Sequence, residues 1–400
     1  KVKEKLQAVD KMSATVDGWT ANAGSGHTTM TLSWIDEDFI PQTTCIGAPH
    51  VSEAATAINL APIFQERLSQ LGVPLSKIQA ICSDRGANYL KLLRDLGIPA
   101  LQCVCHVLDG IMKAVAEDRF SETCAWAQKL VAYFKRSTSA RRHLKAWQRT
   151  TDEANGKATR TPLSVKSACA TRWGYFIPMF ERILELWDYI QGMVDTTSPL
   201  RFSFIDLKAH WNQTYLPEND RNRGSPPSKD KILAIVEIVK PLLTQINYFQ
   251  GGKAIGGLLP SLLHSYDRFK RGSHAHDKSS FYSDVCEALR DQFNQKFDWK
   301  QMPSAWVRGM LLDPRFKRYM PNPLTCPTPL DRDWGAIVVQ QERALMREMT
   351  SGAPTSLDSS VSFPDPPSDE LDPSFPLQTS CPETPSKKIM SQADALELWG

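Results

Sequence analysis

The sequence predicts an α/β unit at its N-terminal end, a longer helical region after it, and a disordered C-terminal stretch. Three observations carry that reading. Between Met12 and about Leu101, short alternating or apolar runs are interleaved with segments of helical spacing. From about Ala114 to Lys317, apolar residues recur mostly at three- and four-residue steps. After Met320 the composition turns to Pro, Ser and acid, which cannot bury enough apolar surface to order itself.

The first strand is "MSATV" (12–16), each residue small or apolar, reaching Asp17 and then a turn at Gly18-Trp19. "HTTMTLSWID" (27–36) alternates and is rich in Thr, the pattern of a strand with one solvated face. "TTCIGA" (43–48) is a third, short strand. "SEAATAINLAPIFQERLSQLG" (52–72) has helical spacing at Ala57, Leu60, Ile63, Phe64, Leu68 and Leu71, with Ser52 as N-cap and Gly72 as stop. "KIQAICSD" (77–84) is a fourth strand, and "RGANYLKLLRDLG" is helical again.

In the helical region, "FIPMFERILELWDYI" (176–190) and "KILAIVEIVKPLLTQINYF" (231–249) are apolar at helical steps. Between them, residues 191–230 include "NDRNRGSPPSKD", a loop by composition. No internal repeat is visible. Residues 321–400 form the expected disordered linker.

Composition narrows the function classes. Four hundred residues with 42% hydrophobic content support a real core. A net charge of +3 is too small to name a partner, so any nucleic-acid surface must be local. No run of about 18 apolar residues suggests a membrane span. Nine Cys without regular spacing fit a reduced compartment better than a disulfide framework. A start at Lys1, with neither Met nor a signal sequence, is the expectation for a fragment of a longer protein.

Asp17 and Asp84 stand at the ends of two predicted strands. A single strand-end acid is usually a solvated terminus. Two on adjacent strands would lie about 5 Å apart, the neighbour spacing in a sheet. Two anions that close repel unless a cation lies between them, and Mg²⁺ takes one or two carboxylates plus water and phosphate oxygens. Spacing leaves both readings open.

Five ordered blocks then carry a family resemblance. "TVDGWT" (15–20), "CSDRGANYL" (82–90), "LQCVCHVLDGIMK" (101–113), "TRWGYFIPMFERILEL" (171–186) and "GMLLDPRFK" (309–317) resemble, in order, the conserved blocks of the hAT superfamily of DNA transposases and their host-gene derivatives, including the BED-zinc-finger group. The resemblance implies a ribonuclease-H-like core over residues 1–113, interrupted by a large all-helical insertion over 114–320. It makes Asp17 and Asp84 the first two of three catalytic, metal-binding acids, with Asn88 and His106 in supporting roles beside them. It also implies DNA as partner, a nuclear location, and self-association of a full-length protein.

The departures are specific. The family's third acid, a Glu in a C-terminal dimerisation block, has no counterpart; Glu342, Glu383 and Glu397 lack its context. Position 109 is Asp where the family usually has Asn, and no N-terminal zinc finger is present. Two readings follow: a truncated or domesticated transposase-like DNA-binding protein, or a fragment of an active Mg²⁺-dependent transposase whose third acid lies beyond residue 400. A structural zinc site at Cys103, Cys105 and His106 is disfavoured, because no second ligand pair lies at usable spacing. Cys103 and Cys105 are instead expected on one buried face of a short strand, with His106 capping the next helix.

A basic run, "YFKRSTSARRHLKAWQR" (133–149), carries Lys135, Arg136, Arg141, Arg142, Lys145 and Arg149 without an intervening acid. It reads either as a solvated helix face or as a phosphate-contacting surface, with Trp147 and nearby hydroxyls assisting. Arg172 is a further DNA-contact candidate, weighed against a packing role.

Overall fold

The computed structural model describes residues 2–347 apart from 21–24, 39, 52–53, 85, 157–160, 170–173, 196–206, 208–210, 212–226, 251–256, 298, 300–302, 313–339 and 342. Arg172, most of the Leu-Asp-Pro-Arg-Phe-Lys block and the expected linker over 348–400 therefore lie outside the described residues.

After helix α1 (Val2–Ala8) come strands β1 (Met12–Thr20), β2 (Gly26–Ile35), β3 (Pro41–Gly47) and β4 (His50–Val51). Helix α2 (Ala57–Leu71), β5 (Ile78–Ser83), α3 (Ala87–Asp95) and β6 (Ala100–Gln102) complete the α/β part. The sheet order is β3-β2-β1-β5-β6, with β4 also on β2. β1, β2 and β3 run antiparallel in sequence, whereas β5 is parallel to β1 and β6 parallel to β5.

The two-residue period of a strand divides β1 cleanly. Met12, Ala14 and Val16 are buried; Ser13, Thr15 and Asp17 are exposed. β2 matches it with buried Met30 and Leu32. Leu60, Phe64 and Leu68 of α2 and Leu92 and Leu93 of α3 join them in one apolar core. Helix α2 starts one turn later than the sequence suggests, because the Thr56 side chain caps the Asn59 N–H. It stops at Gly72, whose left-handed φ of 68° makes the expected C-cap.

β1 does not end at Asp17. It continues, paired to β2, as far as Thr20 opposite Gly26. What ends there is the parallel ladder: Val16 opposite Ser83 is its last pair. Asp17 therefore sits inside one ladder and just past the end of another.

Helix α4 (Val104–Arg119) opens the helical part, followed by α5 (Ser121–Arg136), α6 (Thr138–Ala154), α7 (Ile177–Asp195), α8 (Lys229–Gln250), α9 (Leu258–Ser273), α10 (Ser280–Lys296) and α11 (Ser304–Leu312). Their apolar faces share a second core that begins at Val104, ahead of the expected boundary at 113. Leu207 and Trp211, within the stretch read as loop, are buried in it; Trp126 donates its indole N–H to the Trp211 carbonyl at 3.2 Å. Helix α8 is long and apolar enough to cross a bilayer by composition. It buries Ile232, Ile235, Ile238 and Leu242 in this core, and its Lys229 and Lys240 pair with Asp188 and Glu181 of α7, the habit of a core helix.

Asp109 ties α4 to the chain entering α7. Its buried carboxylate accepts the Gly174 N–H at 2.9 Å and pairs with Lys113 at 2.8 Å. Gly174 adopts a left-handed φ of 50° at that turn. Asp109→Ala leaves the Gly174 N–H buried without an acceptor and should cost about 1–3 kcal/mol of stability, read as a lower midpoint in urea unfolding. An unchanged midpoint would show that water replaces the carboxylate.

Candidate metal centre

The parallel pairing of Val16 with Ser83 brings the next residues of β1 and β5, Asp17 and Asp84, side by side. The Cys103 N–H donates to the Ser83 carbonyl at 2.8 Å, extending the β5–β6 ladder and starting α4 beside the same strand ends. His106 stands in the first turn of that helix. As a result, ligand atoms of Asp17, Asp84 and His106 all lie within 4.8 Å of one another. Asp17 is exposed, and the other two are partly buried.

Local structure fixes Asp84. Its Oδ1 accepts the Gly86 N–H at 3.2 Å, turning the chain into α3. A Cβ at Gly86 would sit 3.1 Å from that oxygen, so this close turn favours glycine. Asn88, in the first turn of α3, is exposed beside Asp84 and lines the same cavity.

The charges are mutually tuned. Although the residue as a whole is exposed, partial desolvation of its carboxyl raises Asp17 above its ordinary range; His106 opposes this, while Asp84 adds repulsion. His106 is raised by its hydrogen bond with Cys103, against the effect of burial, with further help from Asp17 and Asp84. Two carboxylates and an imidazole facing one point fit a divalent cation. The nitrogen donor makes the set softer than the all-oxygen sites Mg²⁺ prefers, and brings Mn²⁺ within its range.

Three thiols adjoin this centre. Cys103 accepts from Cys105 and Cys82 and also contacts His106, which lowers the pKa of its thiol. The same contact, with burial, pushes the Cys82 thiol up. The sequence singled out Cys103 and Cys105 but missed Cys82, which reaches them only across the sheet. The expected shared strand face is corrected: β6 ends at Gln102, Cys103 caps α4, and Cys105 lies in its first turn with Sγ 3.7 Å from the Ile246 carbonyl. A three-residue strand is too short to carry both. Among the described residues, His, Cys, Asp and Glu ligand atoms converge in a group of three at Asp17, Asp84 and His106. His106 is likewise not a cap but a helical residue.

The basic run folds into two helices. Lys135 and Arg136 end α5, and Arg141, Lys145 and Arg149 recur at four-residue steps on α6, with Arg142 beside them. All six are exposed, and among the described residues none forms a salt bridge. Trp147 does not join this stripe. It is partly buried against α7, where a Cβ at Gly192 would stand 3.2 Å from its indole nitrogen.

No family model matches the chain, and no curated protein matches it.

Asp17→Asn should weaken Mn²⁺ binding by at least about tenfold, measured by calorimetry, since removing even a supporting partner of a metal ligand typically costs 10–100-fold. The same substitution should raise the melting temperature of the metal-free protein at pH 7. Because the folded-state pKa of Asp17 is raised, its protonated form favours folding below the unfolded value of 3.8, and that contribution is lost as pH rises through the folded value. The advantage of Asn over Asp should therefore shrink on acidification and vanish below that range. For His106, also raised, the contribution to stability is present below 6.5 and lost as pH rises through its folded value.

Proposed function

We propose that this chain is a hAT-transposase-like, nuclear DNA-binding protein with a ribonuclease-H-like core, whose acid pair holds a divalent metal against a phosphodiester. The observation that carries this reading is the convergence of Asp17, Asp84 and His106 within 4.8 Å, on three elements far apart in sequence. The sheet order supports it: three antiparallel strands followed by two parallel ones, with acids where β1 and β5 part. The resemblance of the five blocks named above to those of that family supports the reading.

A divalent ion held there would polarise a phosphate oxygen and acidify a bound water. The protein's own part is to hold the two carboxylates at a fixed separation and to place His106 beside them. Strand cleavage in this family needs a third acid, and no such acid joins the cluster among the described residues. Residues 1–400 are therefore expected to bind metal and DNA without cutting DNA in Mg²⁺ or Mn²⁺. Nicking that disappears in Asp84→Ala would overturn this, and would favour the fragment of an active transposase.

The α5–α6 stripe is the proposed duplex contact, because six exposed cations with no acid partner among the described residues match a polyanion. If three or four engage phosphates, log affinity should fall against log salt with a slope of about −3 to −4. Arg141→Glu with Arg142→Glu should flatten that slope equally on two unrelated duplexes. A double variant that binds as the parent does would leave α6 a merely solvated face.

A further inference from the structure

Three rings stand in a row beside the acid pair. Trp19 of β1 lies opposite His27 of β2, and His27 lies opposite His50 of β4. Cross-strand register therefore builds the row directly. Trp19 and His27 stack with centroids 4.6 Å apart, and His50 meets His27 edge-on at 5.4 Å. The row is braced: the Trp19 indole N–H donates to Thr29 Oγ1 at 2.9 Å, and His27 Nε2 lies 3.1 Å from Ser25 Oγ. Despite this bracing Trp19 remains 45% exposed, unusual for an indole with a satisfied N–H.

The rings wall a cavity of about 520 Å³ that reaches Asp84, Asn88 and Tyr89 on the other side. Gly18 forms part of its lining, where a Cβ would stand 2.6 Å from the Tyr89 hydroxyl. The volume lies within the roughly 300–1,000 Å³ of small-ligand sites. Asp17 and Trp19 are two residues apart on the same strand face, about 7 Å along β1.

We propose that this cavity receives one unpaired nucleobase of the strand whose phosphodiester lies at Asp17 and Asp84. The inference rests on the acid pair being a phosphodiester site. A ring row offers a π-face to any base, and stacking of this kind tolerates sequence. The amide of Asn88 offers both donor and acceptor to a base edge. A base still paired within a duplex does not enter a cavity of this size, so the substrate presented here is single-stranded or has one nucleotide turned out of the stack.

The test uses the 400-residue chain and a single-stranded 12-nucleotide probe with one 5-iodouracil, alongside the same strand with an abasic site there and as a blunt duplex. Irradiation should cross-link the iodouracil strand to a peptide containing Trp19, His27 or His50, and should fail with the duplex. The abasic strand should bind about tenfold more weakly, one stacking contact's worth. Trp19→Leu should bind both strands equally and lose the cross-link. Where that variant fails to regain the parent's circular dichroism, His50→Ala, at an exposed position, replaces it. A cross-link elsewhere, or equal affinity of the parent for intact and abasic strands, overturns the proposal, including in favour of a pocket for a partner's aromatic side chain. The metal reading is judged separately by calorimetry: a parent that cross-links at the ring row but binds no Mn²⁺ sinks that reading alone.

Discussion

The backbone ladder linking β1, β5 and β6 is the constraint on which the rest depends. It ends with Val16 opposite Ser83, and the Cys103 N–H then closes on the Ser83 carbonyl. Those two pairings set the position of Asp17, the departure of Asp84 into α3, and the start of α4. A register slip of one residue would turn Asp17 into the apolar core and Val16 out to solvent. The buried row Met12, Ala14, Val16 against Leu60 and Phe64 is what forbids the slip.

The centre is held together against its own charge. Asp17 and Asp84 repel, and partial desolvation of the Asp17 carboxyl adds to the cost of its ionised form. His106 offsets part of this, and is itself raised toward its charged form by Cys103 and the two acids. The fold thus accepts a local loss of stability at one point of the sheet, which a cation would reverse. The β1–β5 pairing and the Cys103–Ser83 backbone bond bring the three groups together, and His106 offsets part of the repulsion.

Much of the α/β part was legible from periodicity and punctuation. The alternation of "HTTMTLSWID", the spacing from Ala57 to Leu71 and the stop at Gly72 each describe a local preference that the tertiary structure had no reason to override. Errors fell where a local rule competes with a pairing made elsewhere. Asp17 looked like a strand end, yet β2 carries β1 on to Thr20. Cys103 and Cys105 looked like one strand face, yet β6 gives way to a helix at the residue that bonds Ser83. Trp147 looked available beside its basic neighbours, yet Gly192 on α7 leaves room for it to pack.

By itself the sequence determined which residues could do chemistry: two acids each following a short run of small or apolar residues, a Cys-x-Cys-His run and an acid-free basic stretch. These follow from residue type and short-range spacing, which the chain carries wherever it goes. Only the tertiary structure decided which of them meet. His106 joins Asp17 and Asp84 across 89 and 22 residues of chain because β6 is parallel to β5 and hands the chain to α4 at the right edge. Cys82 reaches Cys103, and Trp19, His27 and His50 fall into one row, for the same reason: register between strands is set by core packing over the whole sheet, and no local stretch encodes it.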